Sequence, residues 1–118
     1  MDVGAGPDFD WSDLALKFAE NDKRTHRVVS NDVIETSRIL SNQIYVRGSF
    51  LEEPVRTNIA MKIMDKKLDA ILVDASPTYT GNIQEDGAKL NQIIFEAMYF
   101  GNIFLEKGGN FICKVLNC

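Results

Sequence analysis

Two charged residues stand where the chain leaves strongly apolar runs. Asp74 follows Leu-Asp-Ala-Ile-Leu-Val (68–73) and precedes Ala75-Ser76-Pro77. A carboxylate at that point can hold a reacting group or a neighbouring ammonium, and it can equally cap an Asx-type turn. Lys114 sits among Phe111, Ile112, Val115 and Leu116. A charge inside a buried strand is costly unless paired. Lysine is also the residue whose pKa falls readily on burial, so it can serve as a base. The bland reading is an edge-strand lysine with its head in water. A third feature, Gly4-Ala5-Gly6-Pro7, lies between a short apolar start and a helix-like stretch. Glycines there let a cofactor approach the backbone, and a helix N-terminus offers free N–H groups. The run lacks the third glycine of the dinucleotide fingerprint, so a plain strand-to-helix turn fits it as well. Asp32 could accept hydrogen bonds from ribose hydroxyls or serve as a solvated turn residue beside Asn31. Trp11 could stack on a ligand or anchor its helix.

These residues need elements to position them. Residues 1–4 read as a short strand. Residues 11–20 carry Trp11, Leu14, Ala15 and Phe18 at helical spacing. Residues 26–30 read as a strand closed by a turn signal at Asn31-Asp32, and residues 43–47 as another. Residues 52–66 form a second helix, with Pro54 tolerated in its first turn. Residues 68–73 suit a strand buried on both faces. Residues 74–86 read as a loop, 90–105 as a long helix with Gly108-Gly109 as its C-cap signal, and 110–116 as a last strand. Strands alternating with helices imply a parallel sheet with right-handed crossovers, whose ligands bind outside the carboxyl ends of the strands.

Composition bounds the rest. The 118 residues suit one domain, with 45% hydrophobic and 25% charged residues and a net charge of −4. That balance excludes collagen-like and disordered classes. No apolar run approaches the ~18 residues of a membrane span. The start shows neither the basic nor the apolar region of a signal peptide. Two cysteines, Cys113 and Cys118, suggest a reducing compartment rather than a disulfide framework; Cys113 reads as a small buried hydrophobe. No metal site is expected. His26 reads as structural or exposed. The acidic balance argues against gripping nucleic acid over the whole surface. The basic clusters Lys23, Arg24, Arg27 and Lys62, Lys66, Lys67 read as solvated faces, and they are the groups available for phosphate contact.

Taken together, Asp2-Val3-Gly4-Ala5-Gly6-Pro7-Asp8-Phe9-Asp10-Trp11-Ser12 resembles the first motif of the FtsJ-type ribose 2′-O-methyltransferases. The stretch 73–81 is similar to their fourth motif, and Gly108-Gly109-Asn110-Phe111-Ile112-Cys113-Lys114 to their last. The ending looks most like the bacterial and mitochondrial large-subunit rRNA enzymes. The resemblance implies an α/β fold, a doubly wound parallel sheet of about five strands of the Rossmann-like methyltransferase type, incomplete at both ends. It implies S-adenosylmethionine as cofactor. Gly4, Gly6, Pro7 and Trp11 would line its methionine end, with Asp32, Ser49 and Asp74 also in contact. Asp74 and Lys114 would match two members of a Lys-Asp-Lys-Glu catalytic set, the others falling upstream of the first motif and on a later strand. Lys114 would take the proton of a ribose 2′-hydroxyl and Asp74 would orient it. Asp8 stands where the family has glycine, and Ser49 where it has an aspartate for the adenine amino group. The implied partners are ribosomal RNA or a ribosomal particle, with a protein partner completing the sheet. The implied setting is intracellular, mitochondrial before cytosolic. The alternatives are a catalytically lapsed relative serving as a structural or assembly component of a ribosome and, less well matched, a nucleotide-binding oxidoreductase.

Overall fold

The computed structural model describes residues 1–20, 27–37, 39–64, 66–76 and 80–115. His26, Lys23, Arg24, Pro77 and Cys118 lie outside them. Five strands and three helices alternate: β1 (Asp2–Val3), α1 (Asp10–Ala19), β2 (Val28–Asp32), β3 (Gln43–Arg47), α2 (Glu53–Ile63), β4 (Leu68–Val73), α3 (Ile83–Phe104) and β5 (Leu105–Cys113). The sheet order is β3-β2-β1-β4-β5 and every pair is parallel. This is the doubly wound α/β sheet expected from the alternation.

The order fixes the layers. The chain moves one way along the sheet from β1 to β2 and the other way from β3 to β4 and β5. Right-handed crossovers therefore set α1 on one face and α2 and α3 on the other. Side chains alternate along each strand, and Val3, Val29, Ile71 and Val73 face α2 and α3. There they pack with Ile59, Ile63, Leu90, Ile94, Ala97 and Phe100 in one buried cluster. The α1 face is polar at its centre. Ser12 Oγ donates to Asp2 Oδ2 (2.6 Å) and shares a hydrogen bond with Ser30 Oγ (2.7 Å). Gln43 Nε2 in turn donates to Ser30 Oγ (2.8 Å). α1 does not reach over β4 and β5. Leu72 is consequently only half-buried and Ile112 is exposed, so β4 is not the strand covered on both faces that its apolar run predicts.

Helix α2 ends at Ile63 rather than at residue 66, because Met64 leaves the helical conformation (φ 60°), and three further boundaries differ from the sequence reading. α3 starts at Ile83, because Asn82 caps it by accepting from the N–H groups of Gln84 and Glu85. Asn82 with Glu85 three residues on is a capping signature inside what reads as loop. Gly108 and Gly109 do not cap α3. Leu105 ends it in extended conformation and the glycines lie inside β5, where the ladder with β4 shifts between Leu68 and Ala70. A Cβ on Gly109 would sit 2.8 Å from the Asp69 carbonyl oxygen, so the bulge requires glycine there. Finally, Asn31-Asp32 continue β2 rather than turn it. Asn31 donates through Nδ2 to the carbonyls of Val46 (2.9 Å) and Gly48 (3.0 Å), and its own carbonyl accepts from Gly4 and Ala5.

Candidate functional site

Register brings the chemistry together. Val3 pairs with Asn31 on one side and with Val73 on the other, and Val73 pairs with Cys113. The residues that follow, Gly4, Asp32, Asp74 and Lys114, therefore emerge at one edge of the sheet. That is the carboxyl edge where open α/β sheets bind ligands.

Two spaces open there. The larger, about 450 Å³, lies between the Gly4 turn, Asp32-Val33, Ser49–Leu51 and Ala75-Ser76, with Lys89, Gln92 and Ile93 of α3 along one wall. The second, about 320 Å³ and mostly apolar, is lined by Trp11, Leu72, Asp74, Ile112 and Lys114. It occupies the part of the sheet that α1 leaves uncovered. Gly4, Asp32 and Ser49 line the first space, and Trp11, Asp74 and Lys114 line the second. Gly6 and Pro7 line neither of these two spaces.

The loop between them is tightly set. Gly4 has φ +80°, and a Cβ there would lie 2.6 Å from both Ala75 Cα and the Asp74 carbonyl oxygen. Gly4 is thus the residue that lets the β1 turn touch the end of β4. Gly6 has φ +73° and open space around a notional Cβ. Its N–H donates to Asp32 Oδ2 (2.8 Å), while the Val33 N–H donates to Oδ1 (2.7 Å). Each oxygen keeps a lone pair for a ligand hydroxyl. Phe9, at φ 55°, holds a left-handed backbone that costs about 1–2 kcal/mol outside glycine. Its ring is buried against Tyr45, with centroids 5.4 Å apart. Burial of that size contributes about 1.5–3 kcal/mol and offsets the strain. Asp8, which replaces a family glycine, is exposed.

Asp74 joins three elements. Its N–H donates to the Val3 carbonyl (3.0 Å). Trp11 Nε1 donates to its Oδ2 (3.2 Å), and the Lys114 ammonium lies 3.4 Å from its Oδ1. Trp11 is therefore both a helix anchor and a wall, at 48% exposure. Lys114 follows the end of edge strand β5 and its side chain is 71% exposed. It is not buried among the apolar neighbours that surround it in sequence, because among the described residues its strand has a neighbour on one side only. Cys113 is half-buried against the core.

Two further carboxylates, Asp2 of the first matching motif and Asp86 after the fourth, are buried. Asp2 is 1% exposed, and its Oδ1 has no partner among the described residues. Burial raises its pKa, against the opposing pull of the Ser12 hydrogen bond. Asp86 holds the turn after β4 by accepting from the Thr80 N–H (2.8 Å), the Thr80 hydroxyl (3.0 Å) and the Gly81 N–H (3.3 Å). Those bonds, the Thr80 N–H first, lower its pKa. The α3 wall goes unread in the sequence, although Lys89, Gln92 and Ile93 share one face of a helix that starts at Ile83.

Among the described residues no group of three or more His, Cys, Asp or Glu side chains is placed to hold a metal ion. No described helix is long and apolar enough to cross a membrane. The larger space suits a nucleoside: Asp32 supplies acceptors for hydroxyls, and Phe50, Leu51 and Ile93 supply apolar surface for a base.

A sequence profile described as FtsJ-like methyltransferase matches residues 1–118. Ribosomal RNA large subunit methyltransferase E of Francisella philomiragia is 28% identical over 115 residues, which cover 98% of this chain and 53% of that protein. The protein of the same name from Francisella tularensis subsp. novicida is 26% identical over the same shares. The chain thus spans about half the length of the curated relatives it matches. A solved structure of a candidate ribosomal RNA methyltransferase from Plasmodium falciparum superposes with a TM-score of 0.80 at 22% identity, over 99% of this chain and 66% of that one. At that identity the likeness speaks for the fold.

Proposed function

The chain belongs to the FtsJ-like methyltransferase family, and from that premise we propose that it forms the cofactor-binding and catalytic core of an S-adenosylmethionine-dependent ribosomal RNA ribose 2′-O-methyltransferase. One observation carries the reading. Asp74 touches both Trp11 and Lys114 at the carboxyl edge of the sheet, beside a space of nucleoside size.

In this reading Asp32 and Ser49 hold the ribose and adenine side of the cofactor. The Gly4–Pro7 turn and Trp11 border its methionine end. When bound, the cofactor supplies an electrophilic methyl group. Lys114 Nζ, as the free amine, accepts the proton of the ribose 2′-hydroxyl. Asp74 is a positioning residue: through Oδ1 it keeps Nζ at the edge of the site, and through Oδ2 it fixes the indole that walls it. General-base catalysis of this kind contributes about 10²–10⁴-fold. Lys114→Ala should lower methyl transfer to large-subunit rRNA by about that factor while cofactor affinity changes little. Undiminished transfer would remove Lys114 from the role.

A second reading, a catalytically lapsed relative built into a ribosomal particle, is favoured by one feature. Among the described residues no second cation lines the space around Lys114 and Asp74. Cofactor binding without any transfer by the whole protein would support it. Both readings include a partner segment or protein covering the Trp11–Leu72–Ile112 surface and the open edge of β5, and an intracellular, mitochondrial setting.

A further inference from the structure

The opposite edge of the sheet carries a second feature that the proposed chemistry does not use. Arg27 precedes β2, Lys62 lies in the last turn of α2, and Lys66 and Lys67 lead into β4. All four line one groove of about 170 Å³ with Val29, Ile63, Leu68 and Asp69. Among the other described cations all but Lys107 are matched: Lys17 to Asp13, Arg47 to Glu35, Arg56 to Glu96, Lys89 to Glu85 and Lys114 to Asp74. The four groove cations have no such ion pair among the described residues. Lys67 Nζ donates to the Ile103 carbonyl (2.6 Å), which leaves it two further donors. Among the described lining residues Asp69 is the one acid against four cations, in a chain whose net charge is −4.

A helix C-terminus attracts cations through its dipole, and that accounts for Lys62 and its near neighbours. It does not account for Arg27, which comes from a different element and faces the same groove. Convergence of unpaired cations from two segments, against an acidic background, is the footprint of a bound polyanion. We propose that this groove is a phosphate-docking site for RNA, separate from the methyl-transfer site. The choice of RNA as occupant rests on the function proposed above. From Asp69 to Asp74 along β4 is roughly 17 Å at ~3.3 Å per residue. An RNA engaging both edges must wrap around the sheet, so the groove selects a folded RNA over a short oligonucleotide.

The test is RNA binding by the triple variant Arg27→Gln, Lys62→Gln, Lys66→Gln, with Lys67 left in place because it bonds the end of α3. A large-subunit rRNA fragment is titrated by fluorescence anisotropy over a range of salt, and S-adenosylmethionine by calorimetry. The expected result is affinity weaker by on the order of tenfold at low salt and a log–log salt slope smaller by about 2, with cofactor affinity unchanged. Wild-type affinity and slope in the variant would overturn the groove while leaving the methyltransferase reading intact. Loss of cofactor binding in the wild type, with the RNA effect present, would overturn that reading and keep the groove. Anionic phospholipid vesicles responding to the variant where the rRNA fragment does not would overturn RNA as the occupant.

Discussion

Replacing Gly4 by alanine should damage the protein more than any other single-methyl change in the first turn. At φ +80° an alanine pays roughly 1–2 kcal/mol of backbone strain. Its Cβ would also lie 2.6 Å from Ala75 Cα and from the Asp74 carbonyl oxygen, an overlap of about 1 Å against ordinary contact. Both neighbours are backbone, held by the Asp74 N–H to Val3 carbonyl bond (3.0 Å). Relief therefore means moving the end of β4, and overpacking of that kind costs about 1–3 kcal/mol. Alanine stiffens the unfolded chain and returns about 0.4–1 kcal/mol. The net loss is about 1–4.5 kcal/mol. A chain of 118 residues unfolds with an entropy of about 0.25 kcal/mol/K, so Tm should fall by about 4–18 °C. Gly6→Ala is the control. Its φ is +73° but its notional Cβ meets nothing within 4 Å, so only about 1 kcal/mol should be lost. Urea unfolding of the two variants, read by tryptophan fluorescence from Trp11, gives both numbers. Equal losses, or a Gly4→Ala loss below about 1 kcal/mol, would refute the close-approach account of this turn.

Two further predictions concern the buried carboxylates. Asp2 has a raised pKa through burial, so the folded state binds its proton more tightly than the unfolded state. Its contribution to stability is present below about pH 4 and is lost as pH rises through the folded pKa. Asp2→Asn removes that loss. The variant should gain on the wild type between about pH 4 and neutrality in parallel urea titrations, and a constant offset across that range would contradict the assignment. Asp86 has the opposite sign: its depressed pKa means stability present above about pH 4 and lost below the folded value. Asp86→Ala should erase hydrogen-exchange protection at the Thr80 and Gly81 amides while amides beyond Leu90 keep theirs; unchanged protection at Thr80 would show that the turn is held by something else.

Much of this architecture is legible in the residues. The Leu68–Val73 run, the Gln43–Arg47 run and the strand–helix alternation give the parallel sheet and the edge at which Gly4, Asp32, Asp74 and Lys114 meet. What is hidden depends on neighbours that no local pattern encodes. Asn31-Asp32 has turn composition, yet Asn31 Nδ2 bonds the Val46 and Gly48 carbonyls and the Asp32 carbonyl accepts from the Gly48 N–H, and so β2 continues. Gly108-Gly109 looks like a helix stop, but the backbone of β4 passes too close to Gly109 for a side chain. Lys114 sits in an apolar stretch and is nonetheless exposed, because among the described residues β5 has a single neighbour. The start of α3 was readable from Asn82 and Glu85, and with it the wall formed by Lys89, Gln92 and Ile93. The Asp2–Ser12–Ser30–Gln43 chain was not, since its members are scattered over 42 positions and meet only where α1 packs on one face of the sheet.

The central claim is that the carboxyl edge of this sheet is a cradle for S-adenosylmethionine. Calorimetric titration of the protein with that compound tests it most directly, run beside Asp32→Ala. The account predicts binding at one site, weakened by roughly 10–100-fold in the variant, the worth of charge-assisted hydrogen bonds of about 1.5–3 kcal/mol. Absence of binding to the wild type, or equal affinity in both proteins, would contradict it.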